Sequence, residues 1–219
     1  MRARGRHVGV DERQRCLTFL ISARLLTYPD QGLLDDLATL RAATAELPEA
    51  IADPLRAELD RVESEELLRS QQLYVSTFDL KRRCCLYLTY YLNGDTRRRG
   101  VELWRFQQTY RQARMNVTGG ELPDFLPVLL EFAADGGDAL GAAAVLLAEH
   151  REGLEVLQSA LEGLTSPYAP VVAVVTAVLP ELTPTQRAAA DQLVAHGPPT
   201  ESVGLEPFNL TDITVGARS

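Results

Sequence analysis

"DFLPVLLEFAA", residues Asp124 to Ala134, decides the fold class of this 219-residue chain. Phe125, Val128, Leu129, Phe132 and Ala133 fall at i, i+3, i+4, i+7 and i+8, which lines up five apolar side chains on one stripe of a 3.6-residue helix. Asp124, directly ahead of the run, has the side chain and the position of an N-cap. The same period recurs on both sides. Leu33, Leu37, Leu40 and Ala43 mark one helical face, and Leu55, Leu59 and Val62 another. A stripe through Phe78, Cys85, Leu88 and Leu92 is stopped by Asn93-Gly94-Asp95, and one through Leu103, Phe106, Tyr110 and Ala113 by Thr118-Gly119-Gly120. Leu140, Ala143, Ala144 and Leu147, then Leu154, Leu157, Leu161 and Leu164, add two more. Val171, Val174, Val175, Val178 and Leu179 suit helix or buried strand by composition, and their period and length favour helix. Thr183, Pro184 and Gln186 read as N-cap, first-turn proline and capping-box partner of a helix through Ala195. Two-residue alternation is almost absent. The expectation is an all-α, single-domain helical bundle of about eight to ten helices over residues 15–196. Residues 1–14, Arg-rich and without period, read as a flexible basic N-terminus, and residues 197–219, broken by Pro198, Pro199 and Pro207, as a flexible C-terminal tail.

Composition bounds the function. Apolar content of 46% and charged content of 24% belong to a globular chain with a sizeable core. The net charge of −8, from 22 basic and 30 acidic residues, repels nucleic acid and anionic membrane as a whole. Between Lys81 and Arg114, however, nine basic residues face two acidic ones, a local +7 that leaves −15 elsewhere. The longest apolar stretch, Ala169 to Leu179, falls short of a spanning segment, and "CLTFLI" after the basic start is too short for a secretory signal. Three cysteines, two of them adjacent, make no disulfide framework, so the reading is a cytoplasmic chain without stable membrane insertion.

No motif of catalysis stands out. His7, His150 and His196 are far in sequence from Cys84 and Cys85, and no CxxC, HExxH or EF-hand spacing occurs. Gly119-Gly120 and Gly136-Gly137 lack the Lys-Ser/Thr of a P-loop and read as helix ends. Glu121 and Asp124 suit a helix start better than an acid/base pair. Arg97, Arg98 and Arg99 fall at a helix start, where positive charge opposes the dipole; they pair with a carboxylate of this chain or with an acidic ligand. Tyr74, Tyr87, Tyr90, Tyr91 and Tyr110 are core rings with satisfied hydroxyls or an adaptable surface for an apolar peptide.

The run "YVSTFDLKRRCCLYLTYYLNGDTRRRG" (Tyr74–Gly100), with "LLTYPD" (Leu25–Asp30) upstream and "ELPDFLPVLLEFAA" (Glu121–Ala134) downstream, resembles the NarJ family of nitrate reductase assembly chaperones, relatives of the TorD and DmsD chaperones. The resemblance covers roughly Cys16 to Ala195. It implies an all-helical fold, no catalysis and no cofactor of its own. It further implies binding to the apo catalytic α subunit of respiratory nitrate reductase, including its N-terminal segment, with molybdenum-cofactor delivery machinery as a further partner. Chaperoning a different molybdoenzyme, or hydrolysing a nucleotide, are the alternatives. The related E-x-P-D-H motif is matched at Glu121, Pro123 and Asp124, but Phe125 stands where the histidine would be, so a role for the imidazole does not carry over. By motif, peptide contact falls at Tyr74 and Phe78. A client site is therefore expected to combine Tyr74, Phe78 and Tyr87 as an apolar groove with Asp79, Asp95, Glu121 and Asp124 facing basic residues of the peptide. Arg97, Arg98 and Arg99 would meet carboxylates of the client or phosphates of the cofactor.

Overall fold

Helix α1 (Glu12–Leu25) starts at a reciprocal capping box: Asp11 accepts from the Gln14 N–H at 2.8 Å, and the Gln14 side chain accepts from the Asp11 N–H at 3.2 Å. It thus begins inside the stretch read as a loose N-terminus, and Val8 N–H already donates to Ala177 O at 2.9 Å. This computed structural model describes residues 8–94, 97–117 and 120–179. The expected helix from Thr183 to Ala195, the C-terminal tail and Asp95 lie outside them. Nine further α-helices follow α1: α2 (Gln31–Thr44), α3 (Glu49–Ser64), α4 (Leu67–Tyr74), α5 (Leu88–Asn93), α6 (Arg97–Gln112), α7 (Leu126–Ala134), α8 (Gly137–Glu149), α9 (Arg151–Gly163) and α10 (Ala169–Ala177). Among the described residues there is no strand, and the all-α expectation of eight to ten helices is met.

α1 is central because its second half buries Phe19, Ile21, Ala23 and Leu25 in the core. It lies against α7 and also touches α2, α3 and α10. The Leu33/Leu37/Leu40 and Leu55/Leu59/Val62 faces close on this core as their spacing requires, and α9 packs on α10 and α5. At the α9–α5 crossing a side chain on Gly153 would stand 3.1 Å from the Tyr91 ring, so glycine sets how closely the two helices approach.

Three expectations are corrected. The Phe78 to Leu92 stripe is not one helix. α4 runs into a five-residue π-helical turn, Val75–Asp79, a 3-10 turn follows at Arg82–Cys84, and the chain is extended at Cys85 and Tyr87 before α5. The wall of the bundle opposite holds it extended: Leu126 N–H donates to Leu86 O at 2.8 Å and Leu88 N–H to Asp124 O at 3.0 Å, an isolated antiparallel bridge centred on Tyr87 and Phe125. Asp124 is not an N-cap; Phe125 occupies that position without a side-chain cap, and the Asp124 carboxylate turns to Thr89 instead. α6 ends at Gln112, short of Thr118, because Arg114 takes a left-handed conformation (φ 61°) and Met115 N–H closes on Tyr110 O at 2.9 Å.

Candidate functional site

The π-helical turn widens the chain path after α4 and brings Tyr74 and Phe78 together, ring centroids 4.8 Å apart. Opposite them the bridge presents Leu86, Tyr87 and Phe125, the Tyr87 and Phe125 rings 5.2 Å apart. Thr27 and Tyr28, from the turn after α1, and Cys85 close the space between. The result is a cleft of about 240 Å³ lined by these residues with Asp79 and Glu121.

Its floor is fixed. Tyr74 OH donates to Leu26 O at 3.2 Å, Tyr28 meets the Tyr74 ring edge-on at 5.5 Å, and Tyr168 backs Phe78 at 4.7 Å. Burial lifts the Tyr74 hydroxyl far above its ordinary range. Tyr87 OH donates to Glu121 Oε2 at 3.1 Å, and burial, aided by that carboxylate, pushes Tyr87 up to about 12. Both tyrosines therefore stay neutral donors at physiological pH. Asp79 and Glu121 are exposed, and among the described residues no cationic side chain lines the cleft, which sets two carboxylates at the rim of an apolar floor.

Tyr74, Phe78, Asp79, Tyr87 and Glu121, singled out in the sequence, thus meet in one place. Asp124 stands behind the wall, fully buried: Oδ2 accepts from Thr89 N–H at 3.1 Å and Thr89 Oγ1 at 2.6 Å, with Arg99 Nη2 3.8 Å away. Arg99 in turn lies over the Tyr87 and Tyr90 rings at 5.8 and 5.9 Å. Arg97 and Arg98 are exposed in the first turn of α6 and do not line the cleft. Phe125 is wall rather than polar contact. Sequence reasoning missed Thr27, Tyr28, Cys85 and Leu86 as lining. Tyr28 belongs to the quoted "LLTYPD" and was findable there; Cys85 fell on a helical stripe, a pattern that gives no sign of a place in a cleft wall. Among the described residues no group of three or more His, Cys, Asp or Glu side chains is placed to hold a metal, and no helix is long and apolar enough to cross a membrane.

Comparison with known proteins places this geometry in a family. The family model described as nitrate reductase delta subunit matches residues 35–174. A nitrate reductase-like protein NarX of Mycobacterium tuberculosis is 41% identical over 151 residues, 69% of this chain and 22% of that protein. The chain thus spans about a fifth of the length of that relative. A probable nitrate reductase molybdenum cofactor assembly chaperone NarJ of Bacillus subtilis is 33% identical over 166 residues, 75% of this chain and 89% of its own length. A nitrate reductase molybdenum cofactor assembly chaperone NarJ of Escherichia coli is 31% identical over 121 residues, 54% of this chain and 51% of its own. The matched span runs from α2 into α10 and contains the π-helical turn, the bridge and most of the cleft wall, and the chain belongs to the nitrate reductase delta subunit family, alongside NarJ.

Proposed function

We propose that this chain is a cytoplasmic assembly chaperone of a nitrate reductase, which binds the catalytic subunit before its molybdenum cofactor is in place and itself catalyses nothing. The observation that carries the proposal is the cleft: aromatic side chains from two separately anchored walls, with carboxylates at the rim. An amphipathic segment with basic residues fits such a surface, its apolar side chains against Tyr74, Phe78, Tyr87 and Phe125 and its cations toward Asp79 and Glu121. The N-terminal segment of the apo catalytic subunit is the occupant proposed here. Asp124 and Arg99 act from behind, holding the Tyr87 wall in register. The names of the Bacillus and Escherichia relatives support the assembly role. Machinery delivering the cofactor is a further partner in this reading.

Calorimetry with a synthetic peptide of the subunit's first ~20 residues tests the cleft. Tyr87→Ala removes half of the aromatic wall from a half-buried position and is expected to weaken binding about tenfold or more. Glu121→Gln is expected to weaken it less, by about two- to fivefold, with a shallower salt dependence. Wild-type affinity in both variants would exclude the cleft as the peptide site. Absence of any large molybdoenzyme subunit on co-purification from cells would exclude the chaperone reading itself.

A further inference from the structure

We propose that the outward face of α6 is a second docking surface, separate from the cleft, for an acidic amphipathic helix of a partner protein. Arg97, Val101, Trp104, Gln108 and Arg111 are spaced four, three, four and three residues apart, and so form one stripe along α6. The opposite side carries Phe106 and Tyr110, buried in the core. Val101 is 66% and Trp104 61% exposed. Trp104, the chain's one tryptophan, does not swing freely: with the Gln108 amide in the orientation that satisfies its neighbours, its oxygen accepts from Trp104 Nε1 and Arg111 Nη1, each at 3.3 Å.

Charge identifies the occupant. Glu102 is the only acidic residue of α6, and it serves Arg105, which Glu149 also holds at 2.6 Å. Among the described residues no carboxylate pairs with Arg97, Arg98 or Arg111. Arg97 and Arg98 stand in the first turn, where the dipole disfavours them, so nothing among the described residues favours their placement. A partner that brings carboxylates there gains from all three. An exposed indole with an arginine about two turns away on either side has the composition of an interface hot spot, and a stripe of four turns matches one helix laid alongside. A lipid surface fits less well. Only Val101 and Trp104 of the stripe are apolar and exposed, the indole N–H is engaged within the helix, and the chain outside Lys81–Arg114 carries −15.

The test uses the full chain and a labelled synthetic helix of about 18 residues, with leucines at i, i+3, i+4 and i+7 and glutamates elsewhere. Anisotropy reports binding, and Trp104 emission reports its place. The expected result is saturable binding with a blue shift, weakened when salt rises from about 50 to about 500 mM. Trp104→Ala and the double variant Arg97→Gln/Arg111→Gln are each expected to weaken it about tenfold or more. Tyr87→Ala should bind this helix as wild type does, so failure of the cleft reading and failure of this one are distinguishable. Circular dichroism checks helicity; should Trp104→Ala lose it, the arginine variant decides alone. Undiminished binding by the arginine variant, equal binding of the lysine counterpart of the helix, or binding only to phosphatidylcholine–phosphatidylglycerol vesicles of roughly 3:1 composition overturns the proposal.

Discussion

Asp124 shows how one carboxylate supports the wall of a cleft without lining the cleft itself. Its buried Oδ2 serves the Thr89 N–H and hydroxyl, and its own carbonyl accepts from Leu88, so α5 begins where Asp124 holds it. Asp124→Ala leaves two buried donors and the nearby Arg99 without that carboxylate. The expected loss is about 2–4 kcal/mol in urea unfolding, with Asp124→Asn milder because it keeps an acceptor. The sequence made Asp124 visible but not its partner. A carboxylate ahead of an apolar helix run is an N-cap by local rules, and here a residue 35 positions away competes for it and wins. Tyr74 and Phe78 were legible for the opposite reason. Their spacing of four brings the rings together whether the turn is α or π.

At the scale of elements, the regular stripes of α2, α3, α8 and α10 were readable because each is an amphipathic or wholly buried helix obeying one period. The segment from Phe78 to Leu92 has helical spacing too, yet the backbone bonds to Asp124 and Leu126 outweigh it, and no single-segment pattern encodes a pairing across that distance. The end of α6 was misread because the chain turns at Arg114 (φ 61°), a residue without glycine's freedom. α9, whose stripe through Leu164 was readable, closes in the same way at Thr165 (φ 52°), where Ser166 N–H bonds Leu161 O at 2.9 Å. A β-branched residue in that conformation is strained. Thr165→Gly is therefore expected to stabilise the fold by about 1 kcal/mol, seen as a raised melting temperature.

For the molecule as a whole, pH acts through buried groups. His150 is almost fully buried, Nδ1 2.9 Å from Leu146 O and its ring against Phe106, and burial lowers its pKa despite nearby Glu102 and Glu149. The native state thus binds this proton less readily than the unfolded chain. Its contribution is intact above about pH 6.5 and is lost as pH falls from there through the lowered native value. Burial raises Glu58, Glu131 and Glu152, which act in the opposite sense: their ionisation destabilises the fold as pH climbs from about 4.3 through the raised values. Comparing His150→Leu with wild type isolates the histidine; the variant's melting temperature relative to wild type should rise between pH 7 and pH 5. The short main-chain pairing between Leu86–Leu88 and Asp124–Leu126 has a wider meaning for such a molecule. Because peptide groups, with the Asp124 carboxylate behind them, fix that wall, the cladding at positions 87 and 125 can be exchanged while the frame keeps its gauge. One scaffold can then present a different cleft surface by changing the rings it shows, without re-engineering the bundle that carries them.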